Sequence, residues 1–327
     1  MSATIRDIAK ETGVSTATVS RVLNSSTHVN EDTKEKIMSV VKKYNYSPST
    51  IARGLKTKSI KTIAIVVKSF TMFHHMRIAD QINNHFSQKG YDIMMFETGT
   101  DEEGMSLFIR RMLDKSIDGI IFIGSTFQLL SSLPETETLL ESIPVIIANG
   151  WLENSFGILV DEKKGAEMLA DHFHSRGKRN FIFLHSSNTE SCKNKISGFN
   201  SFIKENNDTN GRVVTIMEDE SDMNEALSSS DYDAVMAEDD ILAMKTMKWL
   251  IKKGKKVPQD ISVGGFNNSL MSELVYPGLT SVDNKAIEQG IECADTLEKI
   301  LTGNKDAPRE KKILKIIPTE LIIRESS

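Results

Sequence analysis

Ile5-Arg-Asp-Ile-Ala-Lys-Glu-Thr-Gly-Val-Ser-Thr-Ala-Thr-Val-Ser-Arg-Val-Leu-Asn24 divides into two short helices that share one apolar seam. Ile5, Ile8 and Ala9 fall at i, i+3 and i+4, and Val19, Val22 and Leu23 repeat that spacing after a break at Gly13-Val14-Ser15. Gly13 supplies the permissive backbone that ends the first helix. Ser15 is placed to cap the second, its hydroxyl accepting from an otherwise orphan N–H. Two helices joined by so short a Gly-containing turn form a helix-turn-helix, whose second helix fits a DNA major groove. Thr16, Ala17, Ser20 and Arg21 are left facing outward.

Beyond this stretch a polar loop leads to a third helix capped by Asn30, with Glu31 and Asp32 at the positive end of its dipole and Lys42 and Lys43 at the negative end. Ile37, Val40, Val41 and Tyr44 supply the stripe that closes a small core. The first sixty residues hold ten Lys and Arg against five acids, a net +5, so the remainder carries −10 to reach the total of −5. A basic head on an acidic body is the asymmetry expected where only the head meets a polyanion; a basic but merely solvated face is the plainer alternative. Pro48 stops the third helix, and residues 49–56 suit a helix of two turns with Gly54 inside it, too short to be stable alone in water. That segment is either a coupling element that orders on packing or a plain linker.

From residue 61 the pattern becomes repeated strand and helix. Strands are expected at 62–67, 91–96, 119–123 and 144–148, with helices at 77–89 and 103–114. A second set opens at 158–160 and runs to a strand at 311–317. The order βαβαβ with short connections implies a parallel sheet covered on both faces, and two such lobes in tandem imply a cleft where their strand ends meet. The fold class is therefore an all-α helix-turn-helix head on an α/β body of two doubly wound parallel-sheet lobes. The domains expected are 1–47 for the head, 48–60 for the hinge or linker, and 61–327 for the two-lobed body that binds effector and dimerises.

A chain of 327 residues, 39% apolar and 26% charged, has core enough to fold without staples. No run of eighteen apolar residues occurs and no signal peptide is readable, so a cytoplasmic protein is expected. Cys192 and Cys293 form no framework. His74 and His75 are adjacent, not at the i, i+4 spacing of a helical zinc pair, and no phosphate loop or nucleophile elbow is present. Cys192 beside Lys193 reads as an activated thiol or, more plainly, as a small pocket-wall residue. The expectation is a protein that is not an enzyme, with no catalytic residue, metal or cofactor.

Ile5-Arg-Asp-Ile-Ala9, Val19-Ser-Arg-Val-Leu-Asn24, Tyr46-Ser-Pro48 and Ala52-Arg-Gly-Leu-Lys56 resemble the DNA-binding head and hinge of the LacI/GalR repressors. The resemblance continues through Gln88-Lys-Gly-Tyr91, Val257-Pro-Gln-Asp-Ile-Ser-Val-Gly-Gly-Phe266 and the terminal Leu321-Ile-Ile-Arg-Glu-Ser326, and spans nearly the whole chain. It implies a periplasmic-binding-protein-like body and a homodimer that represses transcription from a near-palindromic operator DNA. By matched position Thr16, Ala17 and Arg21 would meet the bases, and Ser20, facing outward on the same helix, would belong to the DNA-binding surface. Thr4 and Ser15 would fix the nucleic-acid backbone. Leu55 would be a minor-groove wedge with Lys56 beside it; packing of Leu55 against the body is the bland alternative.

The resemblance also assigns an effector cleft, and there the chain departs from its pattern. Ser69-Phe-Thr-Met-Phe-His-His75 stands where sugar-binding members have Asp-x-x-Asn-Pro-Phe-Phe, Lys193 stands for a ligand arginine, and Asn267 for a ligand aspartate. The implied effector residues are Ser69, Phe73, His74, His75, Asp161, Lys193, Asp240 and Asn267; for Asp161 and Asp240 capping the helices at 163–175 and 241–253 is the safer reading. Acceptors suited to polyols are lost and donors gained, which points to an anionic effector, a sugar acid or sugar phosphate, controlling carbohydrate or sugar-acid genes. A decayed or protein-filled pocket competes with that reading. So, for the whole chain, does a solute-binding module without DNA-linked regulation.

Overall fold

A computed structural model describes residues 3–23, 29–46, 59–99, 101–216, 220–228 and 231–327. The chain separates into two compact units, Met1–Lys61 and Thr62–Ser327.

In the first unit α1 (Ile5–Thr12), α2 (Thr16–Leu23) and α3 (Glu31–Lys43) enclose Ile8, Ala9, Val19, Val22, Ile37 and Val40. Thr4 caps α1 in a reciprocal box, its N–H and hydroxyl donating to Asp7 Oδ2 at 2.8 and 2.7 Å. Gly13 closes α1 with φ 72°, the left-handed conformation the turn requires. Ser15 Oγ accepts from Thr18 N at 3.1 Å, and Asn30 Oδ1 from Asp32 N at 2.8 Å, as their sequence positions foretold. Tyr44 departs from expectation: it is exposed, and its hydroxyl donates to Glu11 beside the Lys43–Glu11 ion pair. The core it was expected to join is closed by Ile37 and Val40 on α3.

The second unit holds two six-stranded sheets. The first has the order β11-β5-β4-β3-β1-β2, built from β1 (Thr62–Val67), β2 (Asp92–Glu97), β3 (Gly119–Ile123), β4 (Val145–Ala148), β5 (Phe156–Val160) and β11 (Ile313–Ile317). The second has the order β12-β10-β9-β8-β6-β7, from β6 (Asn180–His185), β7 (Asn210–Thr215), β8 (Ala234–Ala237), β9 (Ser262–Phe266), β10 (Thr280–Asp283) and β12 (Glu320–Ile322). All pairings are parallel except β10 with β12. β1 and β3 are buried throughout, as continuous apolar runs in a sheet covered on both faces must be.

On the first sheet, α4 (Phe73–Ser87) and α12 (Ala286–Thr302) cover one face, and α5 (Glu102–Leu113), a 3-10 turn (Ser125–Ser132) and α6 (Glu135–Ser142) the other. On the second, α7 (Glu162–Ser175) and α8 (Glu190–Glu205) oppose α9 (Glu220–Leu227) and α10 (Asp240–Lys252); a short α11 (Leu270–Leu274) follows β9. The lobes are not in tandem. β5, expected to open the second lobe, belongs to the first sheet, and α12 and β11 return to it before β12 ends in the second. The chain thus passes between lobes three times, after β5, after β10 and after β11.

Candidate DNA-reading surface and effector cleft

On α2 the side chains sort cleanly by exposure. Val19 and Val22 are buried, Ser20 is half-buried, and Ser15, Thr16, Ala17 and Arg21 are exposed. The exposed set is two hydroxyls, one methyl and one guanidinium, the chemistry that reaches base edges and phosphates from a helix in a groove. The Thr4 and Ser15 hydroxyls serve as helix caps, which fixes the ends of α1 and α2 that the surface is built on. Leu55 and Lys56 lie outside the described residues.

Residues of the two lobes meet in a continuous polar seam whose centre is Glu162, 1% exposed at the start of α7. Its Oε1 accepts from Asn149 Nδ2 at 3.1 Å and Ser191 Oγ at 2.5 Å, with Lys195 Nζ at 3.6 Å and Asn284 Nδ2 at 3.5 Å. Lys195, 5% exposed on α8, donates to the Glu238 carbonyl at 3.0 Å and lies over the Phe266 ring. The Glu238 carboxylate accepts from Ser186 N, Ser186 Oγ and Ser187 Oγ; burial pushes its pKa up, but these bonds outweigh burial and hold it below the usual range. Asn284 donates to Asn267 Oδ1 at 3.0 Å, and Gln289 Nε2 donates to the Asn284 carbonyl at 2.6 Å while facing His74 Nε2 at 3.5 Å. Residues of both lobes therefore form one network.

Glu162 Oε2, Asn284 Oδ1, Gln289 Oε1, His74 Nδ1 and His75 Nδ1 are buried and have no hydrogen-bond partner. Buried polar atoms of this kind are ordinarily satisfied by a bound water or a ligand, and five of them fall along one seam. Both imidazoles are held neutral, His74 well below its ordinary pKa and His75 at about 4, by burial first and then by nearby positive charges that for both include Lys195. Gln289 fixes the His74 tautomer: its amide N–H faces Nε2, which must accept, so Nδ1 carries the proton. The seam thus presents three carbonyl or carboxylate acceptors, one N–H donor and one imidazole nitrogen of either role.

Several expected positions are elsewhere. Lys193 is exposed on the outer face of α8 and paired with Glu190 at 2.6 Å; the buried lysine is Lys195. Helical phase explains the correction, because residues 192, 195, 198, 199 and 202 form the buried stripe of α8 and 193 falls off it. Asp161 is the cap of α7, accepting from Lys164 N at 3.1 Å, and it is the next residue that enters the cleft. Asp240 caps nothing: Asp239 is the cap of α10, while Asp240 is buried, accepting from Ser269 N at 2.6 Å and Ser281 Oγ at 2.5 Å. Ser69 Oγ is engaged in a local turn with Thr71. Phe73, 53% exposed, lines a separate groove with Leu270, Met271 and Ile287. His74, His75 and Asn267 do lie on the seam, Asn267 in a left-handed conformation at φ 97°. Cys192 is buried, with its thiol pushed up to about 12 by burial, which leaves it inert and suits the pocket-wall reading.

Sequence reasoning missed Glu162, Lys195, Glu238, Asn284 and Gln289. For Lys195 the buried-stripe periodicity was a usable signal. For Asn284 and Gln289, on the second crossing between lobes, there was none.

The sequence pattern of the family described as bacterial regulatory proteins, lacI family, matches residues 4–49, and that of a periplasmic binding protein-like domain matches residues 170–327. An HTH-type transcriptional repressor, PurR, of Vibrio vulnificus is 30% identical, the alignment covering 99% of this chain and 98% of that protein. A lac repressor dimer solved bound to operator and the anti-inducer ONPF has a TM-score of 0.85 at 20% identity, covering 100% of this chain and 99% of that one. A periplasmic binding protein/LacI transcriptional regulator from Alkaliphilus metalliredigens complexed with D-xylulofuranose has a TM-score of 0.70 at 25% identity, over 82% of this chain and 99% of that one.

Proposed function

The chain belongs to the LacI family of bacterial regulatory proteins, and from that premise we propose that it is a ligand-controlled transcriptional repressor, acting in the cytoplasm as a homodimer on a near-palindromic operator. The observation that carries DNA reading is the exposed face of α2, where Thr16, Ala17 and Arg21 stand clear of a core closed by Val19 and Val22. Arg21 reads a base with Thr16 and Ala17 beside it, Ser20 completes the surface, Thr4 and Ser15 contact the DNA backbone, and Leu55 with Lys56 acts in the hinge. Arg21→Ala should lower operator affinity by ~1–3 kcal/mol and relax the preference at one base pair in each half-site. Measured by titration against an operator and its single-base variants, equal weakening on all DNA would make Arg21 a phosphate contact instead.

The effector occupies the seam between the lobes and supplies hydrogen-bond donors to Glu162 Oε2, Asn284 Oδ1 and Gln289 Oε1. A hydroxyl-rich neutral sugar meets this need, and regulation of carbohydrate genes follows from it; the xylulofuranose-bound relative supports the same class. Donors directed at a buried carboxylate favour a neutral ligand over the anion expected from Lys193, His74, His75 and Asn267, of which Lys193 is exposed and paired with Glu190. In thermal-shift panels neutral sugars should stabilise the chain more than sugar acids or sugar phosphates, and Glu162→Gln should weaken that gain. Stabilisation by the anions alone would restore the earlier expectation. No helix among the described residues is long and apolar enough to cross a membrane. Ligand-dependent movement of the lobes, worth ~1–3 kcal/mol of coupling, would change operator occupancy about 5- to 150-fold.

A further inference from the structure

Asn267 and Asn268 follow one another at the end of β9, and both have left-handed backbone, with φ 97° and 43°. Residues that carry a side chain hold that conformation only where their surroundings fix it, and two in a row mark a backbone under constraint. Asn267 belongs to the polar seam, its Oδ1 accepting from Asn284 Nδ2 at 3.0 Å. Asn268 is engaged otherwise. Its N–H donates to Ser281 Oγ at 3.0 Å and its Nδ2 to Asp283 Oδ2 at 3.3 Å, both on β10, while its Oδ1 accepts from Arg324 Nη2 at 2.7 Å, just past β12. These bonds tie the residue to the second lobe. Its carbonyl oxygen is then the group that meets the first lobe, accepting from Arg77 Nη1 of α4 at 3.1 Å.

Arg77 stands where the seam and the apolar groove adjoin. It is one turn along α4 from His74, whose pKa its charge helps to lower, and it lines the groove with Phe73, Leu270 and Met271. The acid on the next turn of the same helix, Asp80, accepts instead from Gln81 Nε2 and Asn84 Nδ2. The guanidinium therefore spends its hydrogen bond across the lobes. A charged donor on a carbonyl is a strong bond at this length, and a relative shift of the lobes by about 1 Å takes it out of range. The contact is thus made or broken, with little between.

We propose that Arg77 is a positioning residue: its bond to the Asn268 carbonyl latches the two lobes, and the Asn267–Asn268 peptide passes the state of the seam to that latch. The proposal deepens the reading of a ligand-controlled operator-binding protein and rests on it. Spin labels on Leu129→Cys and Lys193→Cys, exposed positions on the first and second lobes, measure the lobe separation without any ligand; Cys192 and Cys293 are buried and stay unlabelled. With labelled chains diluted in unlabelled ones, Arg77→Met should shift or broaden the distance distribution, and Arg77→Lys, which can still donate, should return it toward the parent's. Asn268→Gly accepts the left-handed backbone but loses the ties to Asp283 and Arg324. It should shift the distribution as Arg77→Met does, and the two together should add nothing. On operator DNA selected by the parent chain from random sequence, Arg77→Met should change affinity about fivefold or more while its circular dichroism holds. A parent-like distribution in Arg77→Met overturns the latch, as does Arg77→Lys behaving like Arg77→Met. A shifted distribution with unchanged operator affinity overturns its part in control. If the parent selects no operator, the repressor reading falls, and the distances still decide the latch.

Discussion

Asp240 is the residue on which burial acts most plainly. Desolvation raises its pKa to about 6, against hydrogen bonds from Ser281 and Ser269 that favour the carboxylate. An acid whose folded pKa lies above its unfolded value of 3.8 binds an extra proton in the native state between roughly pH 4 and pH 6. Stability from this group therefore rises as pH falls through that window, and its cost is fully present above pH 6. Asp240→Asn should remove a change of roughly 3 kcal/mol from the pH profile of denaturant unfolding; profiles that stay parallel would refute it. His75 works in the opposite sense. Held neutral to about 4, it takes stability away as pH falls below its ordinary 6.5, as does His74, so in the Asp240→Asn background His75→Phe should reduce the loss without abolishing it. None of this was legible in the sequence, where Asp239 and Asp240 are equivalent neighbours. Which one caps and which is buried depends on the position of Ser269 and Ser281, on later elements. Arg21, by contrast, was legible because a two-helix seam fixes the outward face within twenty residues.

At the scale of elements, hydrophobic periodicity located nearly every long helix and buried strand. It placed α4 four residues late, because Phe73 to Met76 carry no apolar face of the usual phase, and so left His74 and His75 off the helix that carries them. Short α6, α9 and α11 were missed, each too brief for a period to show. What no pattern reveals is how closely two helices approach. Gly198 of α8 lies against α7 so tightly that a Cβ there would meet the Lys163 carbonyl oxygen at 2.1 Å. Backbone cannot yield as a side chain does, so Gly198→Ala should cost about 1–3 kcal/mol or more in urea unfolding. A variant within the error of the parent would mean that α7 and α8 separate freely, and with them the Glu162–Lys195 pair they position.

For the whole molecule, the groove between α4 and α11 is the surface that asks for a partner. Phe73, Leu270 at 65% exposed, Met271 and Ile287 line it, and Leu274 and Tyr276 are exposed on and just beyond α11. Exposed apolar side chains gathered in this way mark a protein–protein contact, and a second copy fits the proposed homodimer. Leu270→Asp with Leu274→Asp should shift the chain toward monomer in sedimentation while its circular dichroism holds; an unchanged mass would move the contact elsewhere. Both lobes were foreseeable from alternating strand and helix, but their order along the chain was not, because a strand's sequence does not say which sheet it joins.

That order has a consequence for how the protein is made. The first sheet lacks β11 until residue 317 has been synthesised, and the second lacks β12 until residue 322. Each sheet therefore waits for its sixth strand, and the two are completed almost together as synthesis ends, whereas α1 to α3 can close their core as soon as they emerge. Truncation anywhere before β11 should leave both lobes unfinished and prone to aggregate, so nascent-chain protease protection should appear early for the first helices and then in one late step for everything after Thr62.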